Sequence, residues 1–157
     1  METTINPLLE LLEELYIGSN DAPTWVIDRK PGYGFTAAVK TLTSEQASTP
    51  LVDGGSTVAA HTEHLRWSIY YALEFFKGQM PSWDWKESWN IREVNDNQWE
   101  KLQNDLLVGY HLLKQAIAGT KDWSNPHLLK GTIALLPHAA YHLGAIKQLI
   151  IAVKDKG

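Results

Sequence analysis

The chain has 157 residues, of which 44% are hydrophobic and 20% charged, and its formal net charge is −4. This composition is typical of a globular protein, so we expect a single domain over residues 1–157. The mild negative charge and the lack of a Lys/Arg cluster argue against nucleic acid as a partner. Because the sequence contains no cysteine, disulfides, thiolate ligands and a cysteine nucleophile are excluded, and a transition-metal site has to use histidine or carboxylate groups.

The first long helix is predicted at the stretch NPLLELLEELY. Asn6 suits the capping position of this helix and Pro7 suits its first turn. The N-terminal segment METTINPLLELLEELY is acidic and amphipathic, and it lacks the basic start and the small-residue cleavage site of a signal peptide. No apolar run approaches the roughly 18 residues of a membrane-spanning helix. The sequence therefore predicts a cytoplasmic protein with no membrane partner.

A long connection separates the first helix from the second. Residues 18–55 are rich in turn-forming residues, and the stretch FTAAVKTLTSEQAS within them predicts one short helix. The second long helix opens at Ser56 or Thr57, runs through VAAHTEHLRWSIYYALEFFKG and ends near Gly78. A connection of this length favours a crossover between helices that are not hairpin neighbours.

Two further long helices complete the pattern. The third is predicted from Asn95 or Asp96 to Gly119. The fourth is predicted to start with Ser124 or Asn125 as its cap and Pro126 at its first position. Pro137 falls inside the fourth helix, which predicts a kink or a restart of the helix just before it. Since no segment alternates convincingly as a strand, we expect an all-α four-helix bundle with a long crossover between helices 1 and 2.

Histidines are the candidate functional residues, and two of them share one face of the fourth helix. His138 and His142 are four residues apart, which places them about 40° from each other beside the apolar stripe. His61 and His64 lie beside the apolar stripe of the second helix. Inward-facing histidines on two helices are the way helical bundles build metal sites. By spacing alone the alternative is a polar rim at the helix surface, and the HExxH motif of zinc proteases is absent.

The remaining polar candidates have structural interpretations. His111 is expected at the surface or rim of the third helix. His127 lies at the start of the fourth helix, where the helix dipole disfavours a cationic imidazole, and is expected to be structural. Tyr141 is expected to pack at a helix interface, and Glu63 is assigned no role.

Tryptophan is abundant, with seven residues in the chain, and three of them fall in one connecting segment. Trp83, Trp85 and Trp89 lie in the stretch PSWDWKESWN, between the second and third helices. Three indoles in a polar connection indicate that they cover something: the end of the bundle, a dimer contact or the wall of a pocket. The aromatic surplus also predicts a homodimer.

The stretch STVAAHTEHLRW, followed after a long helix by HAAYHLGAIKQLI, resembles the DinB-like (DinB/YfiT-type) superfamily of metal-binding four-helix bundle proteins. In that superfamily one histidine from the second helix and two from the fourth bind a divalent metal, and the remaining coordination position is taken by water or substrate. The resemblance implies His138 and His142 as the ligands from the fourth helix. On the second helix it favours His64, which lies two turns after a Ser/Thr start and precedes an apolar residue. His61 is the substitute ligand or a partner that contacts a ligand, and Pro137 departs from the family pattern.

The resemblance implies a metal-dependent enzyme that uses zinc, nickel, iron or manganese. Characterised relatives include thiol-dependent transferases and isomerases, so a transferase that acts with a small-molecule thiol or another small substrate is expected. A metal-dependent hydrolase is the second enzymatic possibility. The competing class is a non-catalytic, dimeric helical-bundle protein associated with stress response.

Overall fold

The computed structural model describes residues 2–19 and 23–155, and these residues form an all-helical fold without a strand. The prediction of an all-α chain is therefore confirmed. In chain order the helices are α1 (Glu2–Tyr16), α2 (Phe35–Val39), α3 (Ser44–Ala47), α4 (Val58–Phe76), a 3-10 helix (Trp85–Trp89), α5 (Asp96–Gly119) and α6 (Pro126–Asp155).

Helix α1 begins earlier than the sequence pattern predicted. The helix starts at Glu2, so Asn6 is not its cap and Pro7 lies inside it. A proline this close to the free end of a helix removes one backbone hydrogen bond near the fraying first turns, where its effect on the helix is smallest. The apolar side of α1 is buried through Leu8, Leu12 and Leu15.

The long connection after α1 contains two short helices, α2 and α3, where one was predicted. Helix α3 begins at a capping box, in which Thr43 accepts from the backbone N–H of Gln46 and the Gln46 side chain accepts from the backbone N–H of Thr43. The indole Nε1 of Trp99 in α5 donates to the carbonyl of Leu42 at 3.1 Å. The connection is therefore held against α5 instead of forming a free loop.

Local signals set the ends of α4 and α5 where the sequence placed them. Thr57 caps α4 by accepting from the backbone N–H of Ala60 at 3.1 Å, and Asn95 caps α5 in a capping box with Gln98. Gly78 follows α4 with a φ of 75°, a conformation that favours glycine and ends the helix. Both predicted starts are confirmed.

Helix α6 runs without interruption through Pro137, so of the two predicted alternatives, a kink or a restart of the helix, the restart is wrong. Asn125 starts it by accepting from the backbone N–H of His127 at 3.0 Å. Pro137 has no backbone N–H, so the carbonyl of Ile133 has no helical partner. Both residues lie on the exposed side of α6. Solvent can satisfy that carbonyl, so one proline does not end a helix of 30 residues.

The core lies between the four long helices. Helix α4 packs against α5 and α6, and α1 packs against the same two helices. One apolar stripe of α5 is buried, and it comprises Trp99, Leu102, Leu106, Tyr110, Leu113 and Ile117. Among the described helices, none combines the length and the apolar character needed to cross a membrane. The seam between α4 and α6 carries the histidines.

Candidate metal centre

Three histidines from α4 and α6 converge on one point. The Nε2 atom of His138 lies 3.0 Å from Nε2 of His64 and 3.1 Å from Nε2 of His142. One ring nitrogen from each of the three lies within 4.8 Å of the others. Two nitrogens bound to one tetrahedral zinc ion are about 3.4 Å apart, given bonds of about 2.1 Å. The two separations at His138 therefore need to lengthen by only a few tenths of an ångström to fit a metal ion.

The side chain of His61 takes a different position in the cluster. Its Nδ1 atom lies 2.8 Å from Nδ1 of His142, the ring nitrogen that does not face His138. His61 is 7% exposed and belongs to the same buried region as His64. The structure thus places His64 among the three converging nitrogens and His61 behind His142, where it can orient that ring through a hydrogen bond.

Ser88, in the 3-10 helix, fixes the proton position on His64. The Ser88 hydroxyl donates to the carbonyl of Trp85 at 2.6 Å, which uses its single hydrogen. Its oxygen also lies 2.8 Å from Nδ1 of His64 and must accept from that nitrogen. His64 therefore carries its proton on Nδ1, and the Nε2 lone pair faces His138. The sequence analysis missed Ser88, since a serine in a polar connection carries no distinguishing signal.

Tryptophans from the 3-10 helix cover one side of the histidines. The Trp89 ring stacks on the His64 ring at 4.2 Å and 21°, and it meets the His61 ring edge-on at 5.4 Å. Trp85 lies 5.9 Å from the His64 ring and packs against Trp67 of α4 at 4.9 Å. Of the three indoles, Trp85 and Trp89 therefore cover the histidines within this chain, and the predicted dimer contact stays a prediction.

The environment of the cluster favours neutral imidazoles. Burial, with the neighbouring histidines adding to it, lowers the pKa of His64 to about 4 and the pKa of His142 to about 3. Burial also lowers the pKa values of His61 and His138. A neutral imidazole has an unprotonated ring nitrogen, which is the form that binds metals.

The acidic residue closest in sequence to these histidines is engaged elsewhere. Glu63 is 4% exposed, and both of its carboxylate oxygens accept from Arg66 at 2.7 Å. The pair is a two-point ion pair within α4. Glu63 was assigned no role from the sequence, and in the described residues the candidate ligands are three histidines without a carboxylate.

The other predicted positions lie outside the cluster. His111 is exposed on α5, as expected for a surface residue, and His127 is exposed at the start of α6. The prediction that Tyr141 packs at a helix interface is wrong. Tyr141 is 71% exposed, and its ring meets the ring of the neighbouring His142 in a T-shaped arrangement, at 4.9 Å between ring centroids.

A cavity of about 460 Å³ adjoins the histidines between α4 and α6. His138 lies at one end of it and His127 at the other, and Trp85 contributes to its wall. Because His138 belongs both to the cavity lining and to the histidine cluster, the cavity lies next to the point where the three nitrogens converge.

No protein-family model, curated protein or solved structure matches this chain.

Proposed function

We propose that this chain is a DinB-like, metal-dependent enzyme in which His64, His138 and His142 bind one divalent metal ion. The proposal includes the architecture of that superfamily, a four-helix bundle with a long crossover between its first two long helices, α1 and α4. The observation that carries it is the convergence of three ring nitrogens from two helices, with Nε2 separations of 3.0 and 3.1 Å around the half-buried His138.

The donor set fits a divalent metal. Three neutral imidazoles without a carboxylate suit zinc, nickel or iron, and manganese is the less favoured member of the expected group because it prefers oxygen ligands. Ser88 already directs the proton of His64 to Nδ1, away from the converging nitrogens. When Nδ1 of His142 donates to Nδ1 of His61, the proton of His142 is likewise on Nδ1, and its Nε2 lone pair is left for a metal. A three-histidine site leaves one coordination position for water or substrate, as in catalytic metal sites.

The reaction class follows from that remaining position. A bound divalent metal supplies Lewis acidity, which lowers the pKa of a thiol or a water molecule held there. The chain itself orients the ligands through Ser88 and His61 and excludes water from one side with Trp85 and Trp89. Since the sequence has no cysteine, a thiol nucleophile comes from a small molecule in the transferase reaction, and water takes its place in the hydrolase reaction.

Metal content tests the proposal directly. Tag-free protein is offered zinc, nickel, iron and manganese in turn, and the bound metal is counted by plasma mass spectrometry beside a His138→Ala/His142→Ala variant. We expect about one metal per native chain and its loss in the variant. His111→Ala, which removes an exposed histidine of α5, is the control and keeps the metal. No metal in the native protein would overturn the proposal and favour the non-catalytic, stress-associated alternative.

The homodimer expected from the aromatic surplus stays a prediction. Part of that surplus is used within the chain, since Trp85 packs against Trp67 and Tyr71 of α4. Trp25 is 85% exposed and is free to contribute to a contact between chains. Light scattering at high protein concentration tests this prediction, and a monomeric mass would contradict it.

A further inference from the structure

The cavity beside the histidines is a groove that follows two helices. Its α4 side follows His64 along the chain and includes Ser68, Tyr71 and Phe75. Its α6 side precedes His138 and extends back to His127, a distance of about 16 Å along the helix axis at about 1.5 Å per residue. The residues that line the groove are therefore spread along the helices, with the histidine cluster at one end.

The two walls of the groove differ in character. The α4 wall and the 3-10 helix present aromatic rings, including Tyr71, Phe75 and Trp85. The Tyr71 and Trp85 rings are 5.1 Å apart. The α6 wall presents small residues at Gly131 and Ala134. A Cβ atom added at Gly131 would meet nothing within 4 Å, so the groove is open there.

The groove offers little to a charged molecule. Among the described residues that line it, there is no Arg, Lys, Asp or Glu. The hydroxyls of Ser68 and Thr132 donate to backbone carbonyls of their own helices, at 2.9 and 2.8 Å. A carboxylate placed between the two histidine ends of the groove would lose its hydration without gaining an Arg or Lys partner, which is costly.

Two arginines that could have neutralised an acidic ligand are committed elsewhere. Arg66 is paired with Glu63 at 2.7 Å. Arg92, which lies between the 3-10 helix and α5, donates to the carbonyl of Gly54 at 2.7 Å and also to that of Gly55, so its guanidinium is held against the loop before α4. The polar groups that remain at the groove, such as the hydroxyl of Tyr71, suit neutral hydrogen-bonding partners.

From this geometry we propose that the substrate has an elongated, uncharged, largely apolar or aromatic body that occupies the groove, with a metal-binding head group at the His138 end. The inference rests on the proposed metal site and specifies its substrate class. It excludes thiols whose bodies carry several carboxylates. A groove of about 460 Å³ is within the range of about 300–1,000 Å³ that small-molecule sites occupy.

The test uses three probes on the zinc-loaded full chain. Phenylbutanethiol has an apolar body with a thiol head, butylbenzene has a similar body without the head, and glutathione has the thiol on a body with two carboxylates. Each competes with the uncharged fluorescent probe N-phenylnaphthylamine for the groove. We expect phenylbutanethiol to bind at least about tenfold more tightly than either of the others, because only it matches both the groove and the metal.

A matched pair of variants locates the binding. Gly131→Leu fills the groove without touching a histidine, and the exchange of glycine for leucine favours the helix. Gly144→Leu makes the same change on α6 at a position that does not line the groove and has equally open space around it. We expect Gly131→Leu to weaken phenylbutanethiol binding about tenfold with one zinc retained, and Gly144→Leu to leave it unchanged.

The outcomes separate this inference from the proposed function. Normal zinc binding with glutathione bound as tightly as phenylbutanethiol overturns the substrate class and leaves the metal site standing. If zinc binds normally and Gly131→Leu binds phenylbutanethiol as tightly as the native chain does, the groove is not the place where the ligand binds. If the native chain binds no zinc or other offered metal, the proposed function fails and the inference fails with it.

Discussion

The Nδ1 atom of His64 lies 2.8 Å from the Oγ atom of Ser88, and the two residues come from different helices. This contact links the 3-10 helix to α4 and leaves Nε2 of His64 free to face His138. Metal-binding histidines usually donate their second ring nitrogen to such a partner, which fixes the ring and its tautomer. The position of Ser88 is therefore a specific structural reason to expect metal binding at His64.

Replacement of Ser88 by alanine removes the acceptor for the His64 proton. We expect Ser88→Ala to weaken zinc affinity by about 10–100-fold, the usual effect of losing a partner of a metal-bound histidine. The measurement is a competition titration against a chromophoric zinc chelator. Ser124→Ala, which changes an exposed serine before α6, serves as the control. Equal affinities in native protein and Ser88→Ala would show that the contact does not support a metal ligand.

Separate variants of the two α4 histidines distinguish a ligand from a supporting residue. His64→Ala removes one of three converging nitrogens, so we expect it to lose stoichiometric zinc. His61→Ala removes only the contact to Nδ1 of His142, and we expect it to retain one zinc per chain with an affinity lower by about tenfold. Plasma mass spectrometry gives the stoichiometry. The reverse pattern, with zinc lost in His61→Ala and kept in His64→Ala, would exchange the two roles.

Glu14 of α1 binds the backbone of residues 25–27, in the connection between α1 and α2. Its carboxylate accepts from the backbone N–H groups of Val26 at 2.6 Å, Ile27 at 2.8 Å and Trp25 at 3.0 Å. Burial by itself raises the pKa of Glu14, but these three donors outweigh it and hold the pKa below its ordinary value of 4.5. The ionised carboxylate thus binds the loop more strongly than the neutral acid does.

The sign of the pH effect follows from that lowered pKa. The stabilisation from Glu14 is fully present above pH 4.5, the unfolded-state value, and it is lost as the pH falls through the lower folded-state value. We expect Glu14→Gln to lower the free energy of unfolding by about 1–3 kcal/mol at pH 7 and by less under acid conditions. Urea unfolding at both pH values measures this. Glu10→Gln, at an exposed position of the same helix, is the control, and equal losses in the two variants would contradict the prediction.

The helical elements could be predicted from the sequence because their signals are local. The caps at Thr57 and Asn95 and the stop at Gly78 act within one turn of the chain, so their residue types are sufficient. The start of α1 was misplaced because Pro7 is compatible with two positions, the first turn or a slightly later one, and sequence alone does not distinguish them.

The site could be predicted only where it depends on one helix at a time. The shared face of His138 and His142 follows from their spacing, and the resemblance singled out His64 among the histidines of α4. The contact with Ser88 depends on how the connection between α4 and α5 folds back over the bundle, which no local pattern encodes. The exposure of Tyr141 likewise depends on which side of α6 faces α4.

Pro137 precedes a proposed ligand and interrupts the hydrogen bonds of a long helix. An alanine there can donate to the carbonyl of Ile133, and it relieves the clash between the proline ring and that carbonyl. The position is exposed, so no core contact is lost. We expect Pro137→Ala to raise the free energy of unfolding by about 1–3 kcal/mol, measured by urea denaturation of the metal-free protein. Ala134→Ser, at another exposed position of α6, is expected to change stability by less than about 0.5 kcal/mol. A loss of stability in Pro137→Ala would contradict this prediction. It would mean that the entropy that proline removes from the unfolded chain stabilises the protein more than the missing helical hydrogen bond destabilises it.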